Sequence, residues 1–264
     1  MSNEQESALV MAASKGLGRA AAKHLLKRGA TVTISSRTAD NLQAAKEYLL
    51  AETGAAPERV QTVQCDLTEP SEIRAAVETT VSRTGGLDML VTNHGGPPQR
   101  SFEESTLSEL DATYRSVLRS AYILVDEALP ALLADGGGSV TNIISASARE
   151  PPSNHIISNS IRPGIYGFSK ALANEYAEDG LRANCVLPRA VMTDRIENLN
   201  EVEAERDGLS IDEVQQRRVE EIPMGRTGDP DEFGEIVAFV ASDDASFVTG
   251  AVIPVDGGWS RSAF

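Results

Sequence analysis

The stretch that decides the fold is SVTNIISASAREPPSNHIISNSIRPGIYGFSK, residues 139–170. Within it, residues 140–144 form a continuous and mostly apolar run that is typical of a buried strand. A loop with two prolines follows, and the pattern predicts a helix from about Ser158. Ser145 therefore stands at the carboxyl end of a strand, which is the edge where an open α/β sheet places its ligands and its chemistry.

Strands and helices alternate along the rest of the chain. Further strands are predicted at residues 8–11, 31–35, 60–65, 89–92, 183–187 and 252–255. Further helices are predicted at residues 18–28, 41–52, 71–83, 107–134 and 231–241. Because this order builds parallel strands with helices on both faces, we expect an α/β fold with one doubly wound parallel sheet of about seven strands, a single Rossmann-type domain over residues 1–264.

Length and composition agree with one domain in a reducing compartment. The chain has 264 residues, of which 41% are hydrophobic, and this is enough for a substantial core. No apolar run approaches the length of a membrane span, and the polar start, MSNEQES, lacks the features of a signal peptide. Cys65 and Cys185 fall in separate predicted strands, where core thiols are expected. These features predict a cytoplasmic protein.

The chain is strongly acidic, with a formal net charge of −15. This charge argues against nucleic acid and anionic membranes as partners, since both repel a negative surface. A solvated acidic surface explains the composition most simply. It also fits a halophilic source, because concentrated salt screens the repulsion between like charges.

A glycine-containing loop, VMAASKGLGR at residues 10–19, follows the first predicted strand and opens the first helix. Glycine lets the backbone approach a phosphate, and the helix N-terminus supplies N–H donors and positive potential. An ordinary glycine turn is the alternative, which the strand–loop–helix context makes less attractive. The cofactor-binding residues predicted here are Ala12, Ser14, Lys15, Gly16, Leu17 and Gly18.

The end of the second strand indicates which cofactor is bound. An acid at this position usually holds the ribose hydroxyls of NAD, whereas an arginine suits the 2′-phosphate of NADP. Ser36 and Arg37 occupy it, and Lys15 adds charge nearby. The alternative is that Arg37 and Lys15 are ordinary surface cations. We therefore expect NADP(H), and NAD less.

The central stretch resembles the active-site segment of the short-chain dehydrogenase/reductase family, which has a serine after such a strand and then a Tyr-x-x-x-Lys motif. Family members place the tyrosine about thirteen residues beyond the serine. Counted from Ser145, the tyrosine position is occupied by Ser158 here, and the lysine position by Arg162. The residues 180–184, GLRAN, resemble a family landmark and give the same register.

A Tyr-x-x-x-Lys sequence does occur, as Tyr166 to Lys170. We interpret it as unrelated to catalysis, because the eight residues from Ser158 to Tyr166 give about 12 Å of helix rise and about 80° of rotation. Tyr166 is thus expected to be a packing residue that lies too far away to replace a group at Ser158.

Other family motifs have counterparts along nearly the whole chain. The resemblance predicts cofactor contacts from Asp66, Leu67, Asn93, His94, Gly95, Pro188, Val191 and Thr193. Departures include Met11 and Ala12 in the glycine loop, and Arg189 in place of a glycine. The helix asparagine of the family falls near Val117. His94 is either a titrating group or a histidine held by its loop.

The resemblance implies catalytic roles for Ser145, Ser158 and Arg162. Ser145 would orient the substrate oxygen, and Arg162 would bind the cofactor ribose and stabilise an alkoxide by its fixed charge. Ser158 is a poor proton donor, because an unactivated hydroxyl titrates far from neutral pH. Water, His94 or a substrate group is left to complete the proton path.

Three functions remain open. The first is NADP(H)-dependent carbonyl or hydroxyl oxidoreduction of a small molecule, in a divergent branch similar to 3-oxoacyl-[acyl-carrier-protein] reductases. The second is a catalytically impaired nucleotide-binding homologue that serves as a sensor or subunit. The third is a different reaction on the same scaffold, such as elimination or epimerisation.

Two further expectations concern surfaces. The charged segment 195–222 follows the sixth strand and is expected to be helical, acting as a lid over the substrate or as a solvated excursion. The resemblance also implies a homo-oligomer, a dimer or tetramer, formed through helices at residues 107–134 and 158–177; both are apolar enough to be ordinary core helices instead.

Overall fold

The structure of the protein, a computed structural model, describes residues 6–262. Residues 1–5 and 263–264, which include most of the polar start of the chain, lie outside the described residues. Seven parallel strands form one sheet in the order β3-β2-β1-β4-β5-β6-β7. The strands are β1 Ser7–Val10, β2 Thr31–Ser36, β3 Val60–Gln64, β4 Met89–Thr92, β5 Ser139–Ile143, β6 Arg182–Pro188 and β7 Val252–Val255. The predicted α/β fold with a seven-stranded parallel sheet is confirmed.

Helices connect the strands. They are α1 Gly16–Lys27, α2 Ala39–Thr53, α3 Pro70–Thr84, α4 Leu107–Tyr114, α5 Ser120–Leu132, α6 Ile156–Ile161, α7 Pro163–Glu175, α8 Asp194–Asp207, α9 Ile211–Glu220 and α10 Pro230–Ala241. Two of the predicted long helices differ from expectation. The helix predicted at 107–134 is divided by a π-helical turn, Arg115–Arg119, between α4 and α5. The helix predicted from Ser158 begins at Ile156 and is divided at Pro163, whose ring and missing N–H disturb helix geometry.

Apolar side chains fill both faces of the sheet. One cluster holds Leu25 of α1 and Phe233 of α10 against β1 and β2. A second cluster holds Ile73 of α3 and Leu124 of α5 on the opposite face. Burial on both faces explains why the strands read as continuous apolar runs. Both cysteines are buried, unpaired thiols, as the sequence predicts for core positions.

The strand order reverses at β1, which pairs with β2 on one side and with β4 on the other. The chain leaves these strands in opposite directions, so a crevice opens above their carboxyl ends. The loops after β1, β4, β5 and β6 meet at this crevice, and it is where the candidate site lies.

Within residues 6–262, no helix is both long enough and apolar enough to traverse a lipid bilayer.

Candidate active site

A groove of two adjoining cavities runs along the carboxyl edge of the sheet. The larger cavity, of about 720 Å³, lies over the ends of β1, β2 and β3. The smaller one, of about 180 Å³, lies over β5 and β6 and beneath α8 and α9. Gly96 and Pro97, in the loop after β4, line both cavities. The groove is therefore long enough to connect the ends of several strands, as an extended ligand requires.

The structure brings nearly all of the predicted site residues to this groove. The larger cavity is lined by Ala12, Ser14, Lys15, Ser36, Arg37, Asp66, Leu67 and Gly95. The smaller cavity is lined by Leu17, Asn93, His94, Ser145, Ser158, Arg162, Pro188, Val191 and Thr193. Two predicted residues, Gly16 and Gly18, line neither cavity. They instead shape the glycine loop that follows β1.

The glycine loop is built by backbone conformation and close packing. Gly16 has a φ of +55°, and a Cβ atom on Gly18 would lie only 2.7 Å from the carbonyl oxygen of Ala12. Asn93 fixes the other side of the loop by donating from Nδ2 to the Ala12 carbonyl at 3.2 Å. Ala12 itself has a φ of +47°, a region that L side chains rarely adopt. This explains why a glycine is usual at that position in the family.

The N-terminus of α1 is suited to a phosphate. The residue before the helix, Lys15, makes no side-chain cap, and the first turn contains no acid. The first N–H groups of the helix are therefore without a side-chain acceptor, and they give this end of the helix a positive potential. Lys15 itself lies 3.7 Å from Asp194, and both side chains are exposed. Its charge is thus shared with a carboxylate, which the sequence did not predict.

At the far end of the larger cavity, Arg37 lies beside Asp66. Asp66 is held by Thr68, whose backbone N–H and hydroxyl donate to Oδ1 at 2.8 and 2.9 Å. These hydrogen bonds, with a smaller contribution from Arg37, hold the pKa of the Asp66 carboxyl below its usual value. The site thus pairs a fixed acid with a cation at the end of β2, which fits the adenosine part of a phosphorylated dinucleotide.

Ser145 and Ser158 occupy the smaller cavity. Ser145 follows β5, and its hydroxyl lies 2.8 Å from that of Ser147. Ser158, on α6, is 6% exposed, and its hydroxyl has no hydrogen-bond partner among residues 6–262. Neither hydroxyl is therefore paired with a base, so neither is activated as a proton donor or acceptor.

Arg162 joins α6 to α7 and is 7% exposed. Its Nη1 donates to the carbonyl oxygen of Ile144 at 2.5 Å, while its buried Nε has no partner. Burial, and secondarily the charge of Arg195, lowers the pKa of Arg162 to about 10. The side chain therefore remains charged at neutral pH and holds a fixed positive charge at the cavity wall.

Tyr166 contacts the main chain of Ser145. Its hydroxyl donates to the backbone carbonyl of Ser145 at 3.3 Å. Tyr166 follows Arg162 by four residues and so lies on the same helical face, and α7 packs against β5 and β6. This contact is with the main chain of Ser145, and the expectation that Tyr166 lies too far along the helix to replace a group at Ser158 stays a prediction. However, Tyr166 does not line the cavity that Ser158 and Arg162 line.

The surroundings of Tyr166 are those of a packing residue. It lies against the cluster that contains Val117, Ile165 and Cys185, and burial raises the pKa of its phenol. Lys170, one turn further, is exposed and lies beside Gly250, away from the cavity. The exclusion of this Tyr-x-x-x-Lys pair from the chemistry stays a prediction.

His94 and Val117 occupy positions where the family motifs suggested polar chemistry. The Nδ1 atom of His94 is buried without a partner, and burial, assisted by the charge of Arg162, lowers the pKa of the ring to about 3. His94 is therefore neutral at physiological pH. Val117 lies in the π-helical turn and is 0% exposed, so this turn presents an apolar side chain to the core.

Sequence reasoning missed the side chains that the lid segment contributes. Arg195 and Leu199 from α8, and Arg218 from α9, line the smaller cavity with the loop residue Arg189. A sequence signal was present, since Arg195 comes two residues after the predicted contact Thr193 and begins the segment identified as a lid. The sequence does not show that arginines from two successive helices converge.

Comparison with known proteins gives a consistent result. A family model described as Enoyl-(Acyl carrier protein) reductase matches residues 11–260. The chain is 27% identical to the NADPH-dependent reductase BacG of Bacillus subtilis, over 98% of the chain and 99% of that protein. It is 28% identical to the 3-oxoacyl-[acyl-carrier-protein] reductase FabG of Aquifex aeolicus, over 95% of each.

A solved structure agrees along the whole fold. The L-sorbose reductase of Gluconobacter frateurii, complexed with NADPH and L-sorbose, superimposes with a TM-score of 0.92 at 27% identity and 98% coverage of each chain. Because the family model and these relatives match nearly the full length, the chain belongs to the short-chain dehydrogenase/reductase family.

Proposed function

We propose that this protein is an NADP(H)-dependent oxidoreductase that interconverts a carbonyl and a hydroxyl group on a small molecule. The observation that supports this best is the continuous groove, which begins at Arg37 and ends where Ser145, Ser158 and Arg162 line one cavity. Bound NADPH would supply the hydride. The residues of the chain would bind the cofactor, orient the substrate and stabilise the charge that develops on its oxygen.

Two observations favour NADP(H) over NAD. Arg37 lies at the end of β2, where a cation suits the 2′-phosphate and an acid would suit an unphosphorylated ribose. Two of the similar proteins also use or bind NADPH: BacG is an NADPH-dependent reductase, and the L-sorbose reductase was solved in complex with NADPH. The uncapped N-terminus of α1 fits the phosphates between the two nucleosides.

In the smaller cavity, the chain provides electrostatic stabilisation. The Ser145 hydroxyl would donate to the substrate oxygen, and the Arg162 guanidinium would hold a positive charge near the alkoxide that reduction forms. The unpaired Nε of Arg162 is available for the cofactor ribose or for the substrate. Burial strengthens both interactions, because a low local dielectric weakens an electrostatic attraction less than water does.

Among residues 6–262, the side chains that line this cavity are poorly suited to deliver the proton. The pKa of the His94 ring is about 3, burial also lowers the pKa of His155, and both rings therefore favour the neutral form. Ser158 has no neighbouring base. We therefore propose that water, entering from the open groove, protonates the alkoxide. A catalytically impaired homologue remains the alternative, favoured by the absence of an acid at Ser158, and an elimination or epimerisation is the third possibility.

Single-turnover hydride transfer separates these functions. The purified protein is mixed with NADPH and with a panel of ketones, sugar acids and 3-oxoacyl thioesters, and absorbance at the nicotinamide band is followed. Oxidation of NADPH with any member supports the proposed function, and oxidation with the thioesters supports a 3-oxoacyl reductase activity. Tight NADPH binding with no oxidation favours the impaired homologue. Product formation without net cofactor oxidation points to the third reaction.

The segment at 195–222 is proposed to act as a substrate lid. It folds into α8 and α9, and Arg195, Leu199 and Arg218 from these helices line the smaller cavity. Their contacts with the cavity favour this role over that of a solvated excursion. Protection of α8 and α9 from hydrogen exchange when NADP and substrate are bound would support the lid.

We also propose that the protein is a cytoplasmic homo-oligomer, a dimer or tetramer. Tyr114 and Tyr122, on α4 and α5, are 46% and 60% exposed. The ring of Tyr122 packs against Phe168 of α7, with ring centroids 5.5 Å apart, so α5 and α7 share an apolar outer surface. Such surfaces mark association sites in soluble proteins. Light scattering after size-exclusion chromatography measures the assembly directly.

A further inference from the structure

Four arginines line the smaller cavity, and no aspartate or glutamate does so among the residues that the structure describes. They are Arg162, Arg189, Arg195 and Arg218. The chain as a whole has 39 acidic and 24 basic residues, so this concentration of positive charge opposes the overall composition. A cavity of one sign of charge attracts ligands of the opposite sign.

Two of the four arginines are neutralised from outside the cavity. Arg218 lies 3.0 Å from Glu203, and Arg189 lies 3.5 Å from Glu221. Neither acid lines the cavity. These pairs, together with the contact of Arg218 Nε with Asn200 at 3.1 Å and the stacking of Arg189 on Trp259, hold the two arginines at the cavity wall.

The other two arginines have no carboxylate partner among residues 6–262. Arg162 donates to the carbonyl of Ile144, and Arg195 donates from Nη2 to the carbonyl of Pro97 at 3.2 Å. Burial lowers the pKa of Arg162 and that of Arg195, and the charge of Arg195 lowers that of Arg162 further. Two uncompensated positive charges therefore lie within electrostatic reach of each other.

The loop after β4 is shaped to accommodate Arg195. A Cβ atom on Gly96 would lie 2.5 Å from Nη2 of Arg195 and 2.9 Å from its Cζ. Gly96 lines both cavities, so the guanidinium lies close to the backbone where the two cavities meet. Any side chain at Gly96 would displace it.

We propose that the substrate is a small organic acid, bound by its carboxylate to Arg195 with support from Arg218 and Arg189. This inference rests on the proposed function, since the carbonyl or hydroxyl that reacts would lie at Ser145 and Arg162. A carboxylate offsets the uncompensated charge and matches the fork of a guanidinium with two hydrogen bonds. The cofactor ribose that Arg162 is proposed to bind is uncharged and does not offset it.

The size of the cavity sets the class of acid. The cavity of about 180 Å³ is shared with the predicted cofactor contacts Pro188, Val191 and Thr193, so the space beside a bound nicotinamide would admit only a short oxo acid or hydroxy acid with its carboxylate toward α8. A thioester substrate carries no carboxylate at this end. The charge pattern therefore favours short oxo acids over the acyl thioesters within the panel described above.

The test uses malonate as a non-reacting probe and malonamide as its neutral counterpart. Their dissociation constants are measured by calorimetry on the full protein, with and without NADP. We expect malonate to bind about tenfold more tightly than malonamide, and Arg195→Gln to remove most of this preference. Arg195→Lys keeps the positive charge and should therefore retain part of the preference for malonate. Gly96→Ala, which displaces the guanidinium, weakens malonate binding in the same direction.

Arg217→Gln is the matched control, because Arg217 lies on α9 and does not line the cavity. It should leave malonate binding unchanged. Equal affinity of the wild-type protein for malonate and malonamide, or equal malonate affinity in Arg195→Gln, would overturn the proposal. Circular dichroism confirms that each variant is folded.

A second measurement separates this inference from the proposed function. NADPH oxidation is compared for 3-oxobutanoate and 3-oxobutanamide. If both compounds are turned over at equal kcat/KM, and malonate affinity does not depend on Arg195, the proposal of an acidic substrate fails while the proposed oxidoreductase function stands. If malonate binding depends on Arg195 but no compound oxidises NADPH, the acid-binding site is supported and the proposed oxidoreductase function fails.

Discussion

The guanidinium of Arg162 donates from Nη1 to the main-chain carbonyl oxygen of Ile144 at 2.5 Å. One turn later on the same helical face, Tyr166 donates to the carbonyl of Ser145 at 3.3 Å. Both side chains are thus fixed to the two residues that directly follow β5, Ile144 and Ser145. Only Arg162 also lines the cavity. The arginine, rather than the tyrosine, is therefore in a position to act on a bound substrate.

The first prediction compares these two residues. Arg162→Gln should lower the single-turnover rate of hydride transfer by about 10²-fold or more, because it removes the charge that stabilises the alkoxide. Tyr166→Phe should change this rate by less than about threefold. Its cost is expected in stability, at about 1 kcal/mol for the lost hydrogen bond. Stopped-flow kinetics and urea unfolding measure the two effects. A loss of rate in Tyr166→Phe comparable with that in Arg162→Gln would restore the tyrosine mechanism.

The second prediction concerns cofactor choice. Arg37→Asp should raise the KM for NADPH far more than that for NADH, because it replaces a cation at the proposed 2′-phosphate site by a repelling carboxylate. Steady-state kinetics with both cofactors measure the ratio. Arg83→Asp is the control, because Arg83 lies on α3 outside both cavities. Equal changes for the two cofactors would contradict the assignment of Arg37.

The third prediction addresses the strained glycine loop. Ala12 has a φ of +47°, a conformation that costs an L residue about 1 kcal/mol relative to glycine. Ala12→Gly should therefore raise the free energy of unfolding by up to about 1 kcal/mol. Ala13→Gly, the neighbouring control without positive φ, should lower it, because it removes a buried methyl group. A loss of stability in Ala12→Gly would show that the loop is not strained.

Most of the fold was readable from the sequence. Strands buried on both faces appear as continuous apolar runs, and each of the seven was placed within a residue or two of its observed bounds. The divisions within helices were less accessible. The π-helical turn at Arg115–Arg119 arises from local backbone geometry, which hydrophobic periodicity does not report. Pro163 was visible, although its effect within an otherwise helical pattern was not anticipated.

The site was predictable where motifs stand close together in sequence. Ser145, Ser158 and Arg162 were identified from the resemblance to the family motif and its spacing, and they line one cavity. The reach of Tyr166 to Ser145 was missed because rise along a helix does not describe how that helix lies on the sheet. Likewise, the convergence of Arg195 with Arg162 depends on α8 crossing over the loop after β4. Contacts between distant segments of this kind require the tertiary structure.

The fourth prediction is a pH dependence of stability. The pKa of His94 falls from its ordinary value of 6.5 to about 3, chiefly because the ring is buried. Between these values the unfolded chain binds a proton that the folded protein excludes, so the free energy of unfolding should rise with pH from about 3 to 6.5. The contribution of His94 is complete above pH 6.5 and is lost as the pH falls toward 3.

The variant His94→Gln isolates this contribution. His24 and His155 also have lowered pKa values, and they give a slope of the same sign in both proteins. The difference between wild-type protein and His94→Gln should therefore vary with pH only through the window of His94. Urea unfolding at pH 4.5, 5.5, 6.5 and 7.5 measures it. A difference that is constant across this series would show that His94 is accessible to protons in the folded state.

The fifth prediction follows from the formal charge of −15. Repulsion among surface carboxylates destabilises the compact state, and salt screens it, since the Debye length falls from about 10 Å at 0.1 M to about 3 Å at 1 M. The Tm should therefore rise as KCl is increased from 0.1 to 2 M, and a protein unfolded at low salt should refold in molar KCl. Glycerol at matched osmolality is the control, because it does not screen charge. A Tm that does not respond to KCl would mean that the existing ion pairs, such as that of Arg226 with Glu232, already balance the acidic surface.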